Sequence, residues 1–289
     1  MQLRDKDGLT EQEFLAAYRP GDYPRPSVAS DMAVFTVTNS DAESYRRLPG
    51  KELRLLLIER GGHPFLGRWA LPGGFVRPNE TVGQAAAREL LEETGVDQVY
   101  LEQLGVFSDP CRDPRAWVMS CAHLALIDAR RVEVRAGDDA RNAAWFRVLF
   151  QPEPPAENGL RRMRLGLCCG GISLTALLER RPAGRPADAE GWVILENSGL
   201  AFDHAKIIAS AMDRLRDELE TGAVAFHLLP DAFTLTELQQ VYEVILGRPL
   251  LKAAFRRKIA PLVRETNRYT ENAGHRPSRL YRRRQEEKP

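Results

Sequence analysis

The stretch GFVRPNETVGQAAARELLEETGV, residues 74–96, decides how this chain is read. Val82, Ala86, Leu90 and Leu91 recur at helical spacing and Gly95 stops the run, so a helix is predicted over 80–94 with Leu90 and Leu91 toward the core. Glu89, Glu92 and Glu93 stand at i, i+3 and i+4, which projects three carboxylates from one helical face, away from that core. Carboxylates so close repel one another unless a hard cation neutralises them, and Mg²⁺ or Mn²⁺, with their preference for oxygen ligands, suits such a cluster. Arg88 lies beside them and can pair with and orient one carboxylate. A diphosphate ester brings the further oxygens that complete such metal shells, and the metals in turn spread phosphoryl charge and activate a water for attack at phosphorus.

Outward from this helix the chain alternates strands and loops. Strands are predicted at 28–37 and 53–58, separated by a polar loop at 38–51, and at 100–108, 117–127 and 143–148. GGHPFLGRWALPGGF, 61–75, is a Gly/Pro-rich loop around one apolar strand. This is a mixed α/β domain. Residues 151–159 read as a loop, 161–179 and 192–195 as strands or as a strand and a helix, and RRPAGRPADAEG, 180–191, as the turn between them. Near the start, Thr10 can cap a short helix that ends at Pro20-Gly21. From 202 onward the pattern turns helical. Asp203 can cap 205–218, Thr234 can cap 237–246, Gly247-Arg248-Pro249 breaks the chain, and a third helix spans 250–263. The remainder, ending in HRPSRLYRRR, suits a two-stranded hairpin. The expected layout is an N-terminal extension at 1–24, an α/β domain at 25–198 with 155–198 as an atypical extension, and a helical domain with a basic tail at 199–289.

A chain of 289 residues suits two domains, and 43% hydrophobic with 28% charged residues is a globular composition. The net charge of +1 conceals an asymmetry: residues 251–289 carry twelve Lys/Arg against four Asp/Glu. Such a basic end is either a solvated tail or the footprint of an anionic partner, nucleic acid first. The four cysteines form no C-x₂-C pair, which implies neither a disulfide framework nor a zinc site and fits reduced thiols in the cytoplasm. The first ten residues are charged rather than leader-like, and no run approaches the ~20 apolar residues of a membrane helix.

Residues 74–96 match G-x₅-E-x₇-R-E-U-x-E-E-x-G-U at Gly74, Glu80, Arg88, Glu89, Leu90, Glu92, Glu93, Gly95 and Val96, and the segment thereby resembles the Nudix box. GDYPRPSVASD, RWALPGGFV, RDPRAWVMS, AFDHAKII, FTLTELQQVYEVILG and FRRK extend the resemblance over nearly the whole chain. It is to Nudix proteins with a C-terminal winged-helix domain, a group that includes ADP-ribose-sensing repressors of NAD biosynthesis and ADP-ribose pyrophosphatases. The resemblance implies a Nudix mixed-sheet α/β/α sandwich followed by a winged helix-turn-helix domain. It implies a homodimer with ADP-ribose or a related nucleoside diphosphate as substrate, cleaved to AMP and a sugar phosphate. It implies that Glu89, Glu92 and Glu93 bind Mg²⁺ or Mn²⁺ with the Gly74 carbonyl, that Arg88 supports them, and that Glu80 holds the helix. Asp138 or Asp139 stands where such enzymes often place an additional acid as base or ligand, unless the pair merely caps a turn. In the regulators of this group the box is often degraded; here every acidic residue is present, which favours hydrolysis while leaving a sensor with little turnover as the alternative.

Arg60, Arg112 and Arg115 are candidates for binding phosphate or ribose, against the plainer reading of surface arginines. Trp69 and Trp117 are expected in the core, with stacking on adenine as the alternative role, and His204 is expected to cap or pack at the start of its helix. In the C-terminal part the second helix of a helix-turn-helix enters the major groove and a basic wing touches the backbone. Lys252, Arg256, Arg257 and Lys258 on that helix, with Arg276 and Arg279 in the wing, are the candidate contacts to double-stranded DNA. Leu251, Ala253 and Ala254 occupy its start, where polar base-reading side chains are common.

Overall fold

The computed structural model describes residues 3–40, 50–97, 99–128, 130, 140–182, 191–221, 224–270 and 277–284. Asp138, Asp139 and Arg276, most of the loops expected at 38–51 and 180–191, and the end of the tail lie outside the described residues. The chain runs α1 (Glu11–Ala17), β1 (Ser27–Asn39), β2 (Lys51–Arg60), β3 (Trp69–Ala70), β4 (Gly73–Phe75), α2 (Val82–Thr94), β5 (Tyr100–Phe107), β6 (Val118–Leu126) and β7 (Ala140–Glu153). It continues through β8 (Arg162–Cys169), β9 (Ile172–Arg181), β10 (Gly191–Ser198), α3 (His204–Thr221), α4 (Leu235–Leu246), α5 (Lys252–Ile259), β11 (Val263–Tyr269) and β12 (Arg279–Arg283).

Strands β1–β10 form one mixed sheet in the order β10-β9-β8-β7-β2-β1-β6-β5, with β3 on β2 and β4 on β1; β1 and β6 run parallel and the other pairs antiparallel. Successive side chains on β1 go to opposite faces, and both faces are covered. Met32 and Val34 pack with Ala86 and Leu90 of α2, whereas Ala33, Phe35 and Val37 share a core with Ile208 and Met212 of α3 and Leu238 and Val241 of α4. The helices that follow residue 199 thus supply the second helical layer of the sandwich, and one apolar core runs across the boundary drawn from sequence. β11 and β12 pair as a separate hairpin beyond α5. Among the described residues no helix is long and apolar enough to cross a membrane.

Several local expectations are corrected. The open reading of 161–179 and 192–195 resolves to strands: among the described residues of 161–198 there are three strands, β8, β9 and β10, which pair antiparallel to extend the sheet. β7 runs through the expected loop to Glu153, with Pro152 opposite Met163. The third helix is shorter than 250–263, because Pro261 falls in a single 3₁₀ turn that hands the chain to β11. Trp69 is buried as expected, but Trp117 is 49% exposed. On α2 the buried stripe is Ala86, Leu90 and Glu93, at i, i+4 and i+7. Leu91, a hundred degrees away from Leu90, is 49% exposed.

Candidate functional site

The loop before α2 is set by its own hydrogen bonds. Asn79 takes a left-handed conformation (φ 73°), which a short amide side chain tolerates, and Glu80 accepts from the Arg77 N–H at 2.6 Å. Thr81 then caps α2 in a capping box with Gln84, and left-handed Gly95 ends it. Arg88 gathers the carboxylates. Its guanidinium donates to Glu80 at 2.8 and 3.1 Å and to Glu89 at 2.6 Å, and lies 3.5 Å from Glu92. Hydrogen bonds from Arg88 and from the Arg77 backbone hold Glu80 down at about 2. Glu80 is therefore an anchor for Arg88, as expected.

Glu93 departs from the expectation of an acidic face turned wholly to solvent. It is 7% exposed, and its Oε2 has no hydrogen-bond partner. Burial first, then the charges of Glu89 and Glu92, push its carboxyl up to about 7. The three box carboxylates do not converge as the helical spacing suggests. Arg88 draws Glu89 and Glu92 to itself, and among the described residues no three His, Cys, Asp or Glu side chains form a ready-made metal cage. The donor set nevertheless fits a hard divalent cation: it is all oxygen, clustered, and includes a buried carboxylate oxygen without a partner. Gly74 sits against Glu89 so closely that a Cβ there would overlap the carboxylate, which keeps the backbone of β4 open to that side chain.

Gly74 also belongs to the wall of a 480 Å³ cleft, and the cleft gathers Arg60, Arg112 and Arg115, the three arginines singled out from sequence. Arg141, Phe202 and His204 join them, and sequence reading did not assign these to the site. The only sequence signal for Phe202 and His204 is the motif AFDHAKII, more than a hundred residues beyond Gly74. Residues 199–201 dock beside β3, with Trp69 bonded to Gly199 O at 3.0 Å and Ala201 bonded to Trp69 O at 2.8 Å. That docking carries Phe202, in a left-handed conformation (φ 50°), into the cleft. The Arg60 and Arg115 guanidinium groups lie 5.0 and 5.9 Å from its ring centre.

Arg112 is not a surface arginine. Its side chain is 3% exposed, donates to Asp203 at 2.7 and 3.1 Å, and reaches Asp31 at 3.3 Å. This commits the Asp203 carboxylate to Arg112 in place of the expected helix cap. His204 packs at the start of α3, as expected: its Nδ1 accepts from the Leu71 N–H at 2.8 Å, and burial pushes its pKa down, so it is neutral. Arg115 is paired with Asp113 at 2.7 Å.

In the C-terminal part, Thr234 caps α4 with Glu237 and Gly247 ends it in a left-handed turn. α5 buries Phe255 and Ile259 and leaves Lys252, Arg256 and Arg257 exposed. Lys258 is exposed as well, but its ammonium also donates to Leu219 O of α3 at 3.1 Å and lies over the Tyr242 ring. Arg279 is exposed on the wing, where it pairs with Glu265 and with the Tyr269 hydroxyl.

Comparison with known proteins matches residues 33–162 to the NUDIX domain and residues 225–283 to the NrtR DNA-binding winged helix domain. The ADPR responsive transcriptional repressor NtrR of Acinetobacter baylyi is 34% identical over 280 residues, 94% of this chain and 88% of that protein. An ADP-ribose pyrophosphatase of Methanocaldococcus jannaschii is 47% identical over 96 residues, 33% of this chain and 56% of that protein. The crystal structure of Shewanella oneidensis NrtR complexed with a 27mer DNA is 27% identical, with a TM-score of 0.57 and coverage of 89% of this chain and 93% of that one. With both domains matched in order and one relative similar along nearly its whole length, the chain belongs to the NrtR family of Nudix proteins with a C-terminal winged-helix domain.

Proposed function

We propose that the cleft beside Gly74 binds ADP-ribose or a related nucleoside diphosphate derivative and, with Mg²⁺ or Mn²⁺, hydrolyses it to AMP and a sugar phosphate, while the winged helix binds double-stranded DNA. The observation that carries the hydrolytic part is Glu93, a buried carboxylate with an oxygen that has no hydrogen-bond partner, placed beside two further carboxylates on the helix whose Glu89 abuts the cleft wall. Glu89, Glu92, Glu93 and the Gly74 carbonyl would hold the metal, which when bound would neutralise phosphoryl charge and make a water a competent nucleophile. Arg60, Arg115 and Arg141 bring positive charge to the cleft for the diphosphate, and Phe202 offers a ring to stack against. Arg112, tied to Asp31 and Asp203, is a positioning residue that fixes the cleft wall. Arg88 orients Glu89 and Glu92, and Asp138 and Asp139 stand as candidates for the base. Lys252, Arg256, Arg257, Arg276 and Arg279 supply the charge for DNA phosphates. The named activities of the relatives, an ADPR responsive repressor and an ADP-ribose pyrophosphatase, support the choice of ligand.

A second reading, a sensor with little turnover, is favoured by one feature: Arg88 holds Glu89 and Glu92 away from convergence with Glu93. The deciding experiment measures AMP release from ADP-ribose with Mg²⁺ and with EDTA, beside direct binding of ADP-ribose. Turnover abolished by EDTA supports the hydrolase. Binding without AMP release replaces it with the sensor, and neither binding nor turnover overturns the assignment of the cleft.

A further inference from the structure

The helix-turn-helix presents its second helix in an unusual way. Leu251 is the N-cap of α5, a position where Ser, Thr, Asp or Asn normally supplies a hydrogen bond to the open N–H groups, and here no side-chain cap forms. The same leucine is 81% exposed, so it gains nothing from burial either. A large apolar side chain that neither caps its helix nor packs into the core is open to a partner outside the chain.

The helical geometry says where that surface points. Phe255 and Ile259 are buried, which sets the inward direction of α5. Ala253 and Arg257, four residues apart, lie on the opposite side, flanked by Ala254 and Arg256, and all four are exposed. The outward face is therefore apolar in its first turn, at Ala253 and Ala254, and basic in its second, while Leu251, one turn before Phe255, and Lys252 stand exposed at the start of the helix. No acidic residue stands in the first turn to repel a phosphate.

In a docked helix-turn-helix, the N-terminal residues of the second helix meet base edges in the major groove. Hydrogen bonds to guanine or adenine need Arg, Lys, Asn or Gln; at the start of α5 Lys252 alone can donate one, and Leu251, Ala253 and Ala254 offer none. What they offer is apolar contact, and the one apolar group on a base edge in that groove is the thymine C5 methyl. We propose that α5 selects its DNA by packing Leu251, Ala253 and Ala254 against thymine methyl groups, with Arg256 and Arg257 held to the flanking phosphates. The inference rests on the reading of the winged helix as a DNA-binding domain, and names what that domain recognises.

The test uses the full chain and a duplex selected by it from a random-sequence pool. Thymines in the selected duplex are replaced one at a time by uracil, which keeps the pairing edge and O4 and lacks only the methyl. At the thymines facing α5 the expected result is a loss of roughly fourfold in affinity per methyl removed. For Leu251→Ser, the thymine and uracil duplexes should bind alike at the position Leu251 covers. Serine supplies an ordinary N-cap, so this variant should unfold no earlier than the parent, which separates lost recognition from lost structure. A selected duplex that binds equally well with every thymine replaced overturns the inference while leaving DNA binding in place. Failure to capture any duplex, even at low salt, removes the DNA-binding reading and the inference together.

Discussion

At the scale of single residues, Glu93 sets function against stability most sharply. A carboxylate taken out of water without a partner costs several kcal/mol, and an amide of the same shape would cost less. Glu93→Gln should therefore leave thermal stability equal or higher while metal-dependent AMP release falls at least about 100-fold, since even outer-shell partners of a metal are commonly worth about 10–100-fold. Near-normal turnover in that variant would sink the catalytic assignment. The two glycines of β4 separate structure from site. A Cβ at Gly73 would overlap the Ser30 carbonyl and stand 2.9 Å from the Asp31 Cα, with φ at 154°, so Gly73→Ala strains backbone that has nowhere to go. At Gly74 the obstacle is only the end of the Glu89 side chain, which can swing aside. Denaturant melts of the two alanine variants should show Gly73→Ala losing roughly 1–3 kcal/mol and Gly74→Ala much less, with Gly74→Ala instead weakening metal-dependent activity because Glu89 is displaced. Equal destabilisation by both would mean that Gly74 is kept for the fold rather than for the carboxylate.

At the scale of elements, α4 shows how much a terminus decides. The Thr234 hydroxyl accepts from the Glu237 N–H at 3.1 Å, and the Thr234 N–H donates to the Glu237 carboxylate at 2.8 Å, at the start of a helix that buries Leu238, Val241, Tyr242 and Ile245. Thr234→Ala should cost about 1 kcal/mol in equilibrium unfolding, and no measurable change would show that the Glu237 half of the box suffices. The capped helices were legible because cap, apolar spacing and terminating glycine are all local: Thr81 to Gly95 and Thr234 to Gly247 read directly. Elements decided by distant partners were not. Pro152 looks like a breaker, yet it stays in β7 because β8 pairs alongside it. Asp203 has the chemistry of an N-cap, but Arg112, ninety-one residues earlier, claims its carboxylate. The acidic helix and the three arginines of the cleft could be named from spacing and residue type, whereas Phe202 and His204 enter only because the segment after β10 returns to β3. Leu91 and Glu93 exchanged expected surroundings because a face four residues wide admits either neighbour of Leu90 until packing chooses.

At the scale of the whole molecule, α3 touches everything that matters. Its start is fastened to the cleft through Asp203–Arg112 and through His204 on the Leu71 N–H. Midway, Arg216 donates to Phe150 O of β7 at 2.9 Å and to Ile245 O near the end of α4 at 3.0 Å, and farther on Leu219 O receives Lys258 of α5. A ligand that moves the cleft wall therefore acts on the same rigid element that seats the helix-turn-helix. Coupling of this kind is a free energy shared by two sites, so it must be reciprocal: if ADP-ribose changes DNA affinity by some factor, DNA changes ADP-ribose affinity by the same factor, typically about 5–150-fold. The measurement is a pair of titrations in EDTA, ADP-ribose into the chain with and without a bound duplex, and duplex with and without ADP-ribose. Equal and non-unit factors are expected. Arg216→Met keeps the length of the side chain, removes both carbonyl bonds, and should shrink the factors while leaving ADP-ribose binding to the DNA-free chain intact. If each ligand binds with the same affinity whether or not the other is present, α3 is only a core helix, and cleft and winged helix work independently within one fold.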